Sequence, residues 1–267
     1  MNPLAKRLLW RPYYWFSNLL FDPLEVMKKY RALPHFIRNW RDYQRMNRNP
    51  RLEIRLRDVW YRAHDRYDNA GTAHGHYFFQ DLWAAQKLYD NRVSTHVDVG
   101  SRMDGFVAHI IPFCRVTYVD IRPLSFSCEN FEFRQGSVTE MPFEDESVAS
   151  LSSLHVIEHI GLGRYGDRVD PTGHLKAAAE LSRVLAQGGR LLLGVPVGRE
   201  RTCFDAHRVF DPETVVRAFD MLALTEFSLI DDTGRRVIMN APFEQARRCE
   251  YGCGLFVFEK PRAEDLS

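Results

Sequence analysis

Residues 95–123, THVDVGSRMDGFVAHIIPFCRVTYVDIRP, constrain the fold of this chain more than any other stretch. The residues around Asp98 alternate as in a strand and stop at Gly100. Phe106, Val107 and Ile110 then recur at helical spacing, and an apolar run over 116–119 ends at Asp120. Strand, glycine turn, helix, strand and a closing acid form the opening unit of an open α/β sheet. Glycine lets the backbone approach a ligand closely, and an acid ending the second strand is placed to take ribose hydroxyls. The stretch implies a nucleotide-like cofactor without saying which one.

The flanking sequence keeps this rhythm. Residues 69–76, NAGTAHGH, read as a loop, and 78–90, FFQDLWAAQKLYD, as an amphipathic helix entering the first strand. Strands are expected at 131–135, 147–153 and 190–195, with a helix over 174–185 that ends at Gln187-Gly188-Gly189. Asp211 as N-cap and Pro212 in the first turn start another helix. The last strands, 225–230 and 255–258, lack a strong helix between them, which suggests an antiparallel edge. Alternating strands and helices over 90–225 predict an α/β, Rossmann-like, doubly wound sheet that is mostly parallel.

With 267 residues, the chain is long enough for one large domain plus an extension. The charge is uneven: residues 1–66 hold fifteen Lys/Arg against six Asp/Glu, whereas the whole chain is only +1. No global field therefore points to nucleic acid. We divide the chain into a basic, aromatic, helical extension (1–66) and a cofactor-binding domain (67–267). In the extension, prolines 12, 23, 34 and 50 punctuate short helices rich in aromatics such as Trp10, Trp15, Phe36 and Trp40. Packing of these helices on the main domain is the expected role. Peripheral contact with an anionic membrane face is the sharper alternative.

Five cysteines (114, 128, 203, 249, 253) at irregular spacing predict a reducing, cytoplasmic setting. Cys249 and Cys253 are close but lack further ligands in sequence, so both are expected as small buried side chains. No apolar run reaches spanning length, and the segment 6–11, KRLLWR, has no signal-peptide core.

The turn after the first strand, Gly100 to Gly105, lacks the dinucleotide fingerprint G-x-G-x-x-G, which makes a nicotinamide-dependent oxidoreductase the least favoured reading. Asp98-Val99-Gly100, Asp120, the segment GSVTEMPF at 136–143, SLHVIEHI at 153–160 and LSRVLAQGGRL at 181–191 together resemble class I S-adenosylmethionine-dependent methyltransferases. The resemblance covers about residues 75–260. It implies a seven-stranded sheet with an antiparallel last strand and S-adenosyl-L-methionine as cofactor. The implied cofactor contacts are Asp98, Gly100 and Ser101 at the first turn, Asp120 and Ile121 after the second strand, then Ser137, Val138 and Leu154. His76 and Tyr77, beside His74 and Gln80, would form a lid. Two positions depart from the pattern: Ser101-Arg102 replaces the usual glycine turn, leaving Gly105 late, and Ser137 stands where an Asp is frequent.

The longer runs HVIEHIGLGRYGD, DPTGHLKAAAEL and FDAHRVFDP resemble a bacterial methyltransferase-like group associated with cell-surface polysaccharide synthesis. This implies O-methylation of a sugar, glycan or nucleotide-sugar. A hydroxyl needs a base or a metal to remove its proton. His155, Glu158 and His159, at i, i+3 and i+4, would share a helix face just beyond strand four. Three roles stand open: His159 as base oriented by Glu158, a divalent-metal trio, or a structural cluster. The glycine-rich loop 161–167, expected to be mobile, carries Arg164, Tyr165 and Asp167 as an acceptor clamp, with His174 following. Arg199, His207 and Arg208 lie after strand five, where they would pair with an anionic acceptor, and His207 is a second candidate base. A quinone or lipid acceptor, or a catalytically silent partner in a polysaccharide complex, are the competing readings.

Overall fold

The computed structural model describes residues 22–68, 71 and 73–266. The chain separates into two compact units, residues 1–72 and 73–267.

In the first unit, α1 (Pro23–Met46) starts where the Asp22 carboxylate accepts the Leu24 N–H at 2.8 Å. Pro34 lies inside this helix, so it does not divide the segment into short helices as the sequence suggested. The helix packs on the chain that follows it: Phe36 meets the Tyr61 ring edge-on at 5.1 Å, and Tyr67 Oη donates to Arg31 O at 3.3 Å. Trp10, Trp15 and their neighbours lie outside the described residues. Among the described residues, no helix is long and apolar enough to cross a membrane.

The second unit begins with α2 (His76–Asp90), followed by β1 (Thr95–Val99). A π-type turn over Met103–Val107 leads into the short α3 (Ala108–Ile110). Then come β2 (Arg115–Asp120), β3 (Phe131–Gln135), β4 (Val148–Leu154), α4 (Gly173–Val184) and β5 (Leu185–Val197). A hairpin of β6 (Arg201–Cys203) and β7 (His207–Val209) precedes α5 (Pro212–Ala218). The chain ends in β8 (Ala223–Ile230), α6 (Phe243–Arg247) and β9 (Gly252–Glu259).

Seven strands form one sheet in the order β3-β2-β1-β4-β5-β9-β8. Every pair from β3 to β5 is parallel; β9 runs antiparallel to both its neighbours. The reversed strand is the last in sequence, as expected, but it sits one place in from the edge.

Apolar residues cover both faces. On one, α4 turns Ala177, Ala178 and Leu181 onto Leu191 and Leu193. On the other, α2 turns Trp83, Ala84 and Leu88 towards Phe106, Ile110 and Leu192. These side chains recur every three or four residues along each helix, the spacing of a single buried stripe. Each fully buried leucine contributes about 1.5–3 kcal/mol, so the sheet is a stiff platform. The loops that matter for chemistry leave it at the carboxyl ends of β1, β2, β4 and β5.

Candidate active site

A cavity of about 780 Å³ opens at this edge, walled by Gly100, Asp120, Ser137, His159 and Tyr165 among others. Its size falls within the range of small-molecule pockets. Gly100 has φ +68, a left-handed conformation that puts bare backbone on the wall. Gly105 serves another purpose. A Cβ there would meet Asp81 Oδ2 at 2.2 Å, so this glycine lets α2 pack against the turn and does not face the cavity.

Asp98 is fully buried beneath the turn. Its carboxylate accepts from Ser101 Oγ at 2.6 Å, from Ser101 N–H at 3.1 Å and from Ser152 Oγ. The β1–β4 register places Asp98 opposite Ser152, which explains the contact. Burial pushes its pKa up to about 6, against the pull of these hydrogen bonds. Ser152 also bonds His96, whose other ring nitrogen meets Ser150 Oγ at 2.7 Å. Burial holds His96 down at about 3, hence neutral. Asp98 and Ser101 thus brace the turn from inside, and neither reaches the cavity. Leu154 is likewise core. His96, which lacks any motif, was not legible as part of this network.

Asp120 does line the cavity, with Ile121, Ser137 and Val138. Both its oxygens are engaged. Arg122 donates through Nε at 3.0 Å, Nη2 at 2.7 Å and its backbone N–H at 2.8 Å, and Tyr118 Oη adds a bond at 3.1 Å. Burial would raise the Asp120 pKa, but the Arg122 bonds overcome it and hold the carboxyl below its usual value. The Arg122 guanidinium also lies 4.8 Å from the centre of the Tyr165 ring, and that of Arg164 lies 5.0 Å from it. Arg122 was missed in the sequence, where it is only the second residue after the closing acid.

His155, Glu158 and His159 do not share a helix face. They straddle a 3-10 turn (Ile157–His159), and His155 adopts φ +57. His155 Nδ1 lies 2.7 Å from Glu158 Oε1 inside the protein, and Glu158 is wholly buried. Burial alone would lower the His155 pKa; Cys253 and the Glu158 carboxylate beside it raise it well above 6.5. His155 Nε2, Glu158 Oε2 and Ser153 Oγ are buried without hydrogen-bond partners. His159 is held differently: Nδ1 donates to Ala206 O at 2.6 Å, and Nε2 lies 3.7 Å from Glu158 Oε1. The Ala206 carbonyl, rather than Glu158, fixes its orientation. Burial lowers its pKa, so the ring is neutral near pH 7 with its lone pair on Nε2.

The loop after His159 is internally braced rather than loose. The Asp167 carboxylate accepts N–H bonds from Gly161 at 2.7 Å and Tyr165 at 3.2 Å. Tyr165 and Asp167 line the cavity; Arg164 stands behind, donating to Ala206 O at 2.8 Å. His174 packs its ring on Phe210 instead. Arg208 is buried and donates to Ile160 O at 2.7 Å, so it straps the turn in place. Neither it, Arg199 nor His207 lines the cavity. His207 leans on Tyr251 at 4.9 Å. His76 and Tyr77 lie outside the cavity wall too: His76 stacks on His155 at 5.2 Å, and the Tyr77 ring sits 5.1 Å from it. Lys176 and Arg168 complete the wall and add positive charge that the sequence motifs did not indicate.

A family model described as "Caenorhabditis protein of unknown function, DUF268" matches residues 128–235. This description does not correspond to the bacterial polysaccharide group suggested by the sequence. No match was found among curated proteins. Among solved structures, a putative sarcosine dimethylglycine methyltransferase from Galdieria sulphuraria is 16% identical over 68% of this chain and 85% of that one, with a TM-score of 0.51. A 1,6-didemethyltoxoflavin-N1-methyltransferase from Burkholderia thailandensis, solved with 1,6-didemethyltoxoflavin and S-adenosylhomocysteine, is 17% identical over 90% and 91%, with a TM-score of 0.50. The chain has the Rossmann-like methyltransferase fold.

Proposed function

We propose that this chain is an S-adenosyl-L-methionine-dependent O-methyltransferase acting on a hydroxyl of a sugar, as a glycan or nucleotide-sugar. The observation that carries this reading is the cavity itself, whose lining brings together Gly100, Asp120 and His159. Ligands of open α/β sheets bind at this edge. The wall fits the cofactor: Gly100 presents bare backbone, Asp120 a carboxylate, and Ser137 and Val138 a hydroxyl beside an apolar edge. When bound, S-adenosyl-L-methionine supplies a methyl group activated by its positive sulfur.

His159 is the base in this reading. The Ala206 carbonyl fixes its tautomer, so Nε2 is free to take the acceptor's proton. The Glu158 carboxylate, 3.7 Å from Nε2, stabilises the charge that the ring then gains. The Tyr165 ring on the cavity wall suits contact with the apolar part of a sugar, and Arg122, Arg168 and Lys176 suit an anionic group such as a phosphate. A place in cell-surface polysaccharide synthesis rests on the sequence resemblance alone. Five free cysteines agree with a reducing, cytoplasmic compartment.

The test is incubation of the full chain with methyl-labelled S-adenosyl-L-methionine and a panel containing a nucleotide-sugar, a free glycan and a quinone, read by mass spectrometry. Label in a sugar methyl ether is the expected result. Label only in the quinone, or only in an amine, overturns the acceptor class.

A further inference from the structure

Three chain segments meet at His155, which lines the cavity: the start of α2 with His76, the residue after β4, His155 itself, and the start of β9 with Cys253. Their ligand-capable atoms all lie within 4.8 Å of one another. Among the described residues, this is the group of three or more His, Cys, Asp and Glu gathered closely enough to hold a metal ion. The His155, Glu158 and His159 trio suggested by the sequence is not such a group among the described residues.

We infer that His76, His155 and Cys253 form a binding site for a zinc-class transition-metal ion. Two imidazoles and a thiolate are the donor set that zinc and its neighbours take, in preference to magnesium or calcium. The His155 side chain is 3% exposed, and its Nε2 has no hydrogen-bond partner. A buried polar atom without a partner calls for an explanation, and a metal ligand supplies one. Cys253 is fully buried and lies beside His155, and its sulfur makes weak contacts of 3.7 Å to Gln80 Oε1 and 3.8 Å to Gly254 O.

The surroundings match the second shell that orients metal-bound imidazoles. Glu158 meets His155 Nδ1 at 2.7 Å, which leaves Nε2 for the ion. Tyr251 O meets His76 Nε2 at 3.1 Å, which leaves Nδ1. The charges also close: a divalent ion balances the Cys253 thiolate and the fully buried Glu158 carboxylate. In a tetrahedral site the donor atoms stand about 3.3–3.7 Å apart. The 4.8 Å bound therefore asks for a closure of about an ångström, and the His76 ring, now stacked within 5° of parallel on His155, must turn so that both lone pairs meet the ion. Three protein ligands are also the number that catalytic zinc sites use, the fourth position going to water or substrate. The signal was dispersed in sequence: its members lie at positions 76, 155 and 253, and only the sheet topology joins them.

The experiment strips the full-length chain with a chelator, titrates it with Zn²⁺, and then loads Co²⁺ as a coloured stand-in. The expected result is one Zn²⁺ per chain retained through desalting, and a near-ultraviolet cobalt–thiolate band. Cys253→Ser removes the band and weakens Zn²⁺ at least about 100-fold, whereas Cys249→Ser changes neither. Glu158→Gln keeps all three ligands and weakens Zn²⁺ about 10–100-fold. No Zn²⁺ retained by the unmodified chain, or Co²⁺ bound without a thiolate band, overturns the site. The cobalt spectrum of the unmodified chain decides the matter even if Cys253→Ser fails to fold. Metal uptake is read without cofactor or acceptor, so its failure leaves the methyl-transfer reading standing.

Discussion

The carboxyl edge of the sheet has two halves that treat buried polar groups in opposite ways. Around β1 and β2, each carboxylate is saturated. Asp98 accepts from Ser101 and Ser152, and Asp120 accepts from Arg122 and Tyr118. Around the end of β4, three buried atoms within six residues have no hydrogen-bond partner: Ser153 Oγ, His155 Nε2 and Glu158 Oε2. Saturated networks rigidify a scaffold, whereas unsatisfied buried groups mark places where the fold tolerates a cost for another purpose. In the proposed function, the first half holds a shape for the cofactor and the second acts on the acceptor.

The largest effect that separates the halves is on turnover. His159→Asn should lower kcat by about 10²–10⁴ while leaving S-adenosylhomocysteine affinity unchanged, as steady-state kinetics and calorimetry would show. Equal loss in both would place His159 with the cofactor instead. Asp120→Ala should do the reverse. Loss of hydrogen bonds to a charged group costs about 1.5–3 kcal/mol, or roughly 10–150-fold in cofactor affinity. Little change in kcat at saturating cofactor is expected beside it.

This division was only partly visible in the sequence. Residues 95–123 exposed the strand–turn–strand unit because alternation, a glycine and an acid all lie in one contiguous stretch. Asp98 and Asp120 look alike there, each an acid near the end of an apolar run. Only the register of β1 against β4 shows that Asp98 points at Ser152 inside the sheet. The spacing of His155, Glu158 and His159 suggested a helix face, but a left-handed residue at His155 breaks that periodicity. Arg208 and His174 carried suitable chemistry in suitable loops, yet packing turns them onto backbone carbonyls and an aromatic ring. Residue type was legible, but the direction each side chain points was not.

A smaller effect concerns pH within the saturated half. Asp98 is held at about 6 against 3.8 for the free group, so the folded chain binds this proton more tightly than the unfolded one. Its stabilising contribution is full below 3.8 and lost as pH rises through 6. His96, held at about 3 against 6.5, has the opposite sign: its contribution is present above 6.5 and lost as pH falls. The two oppose each other between pH 4 and 6. Asp98→Asn removes one of them. The stability of the parent relative to this variant should then rise by on the order of 1.4 kcal/mol per unit as pH falls from 6 to 4. Urea melts at several pH values would read this, and a flat difference would show that Asp98 is ionised freely in the fold.

The smallest expected effect is at Arg122, which occupies the carboxylate that a ribose would use. Its side chain is 55% exposed, and such pairs are worth about 0.2–1 kcal/mol. Arg122→Ala should therefore tighten S-adenosylhomocysteine by up to about fivefold. Weaker binding would mean that Arg122 itself contacts the cofactor.

The most direct measurement is calorimetric titration of the full chain with S-adenosylhomocysteine, run beside Asp120→Ala. A cavity built for this cofactor predicts saturable binding of one molecule per chain, weakened at least about tenfold by the substitution. No heat at high protein concentration, or an affinity that ignores Asp120, would contradict it.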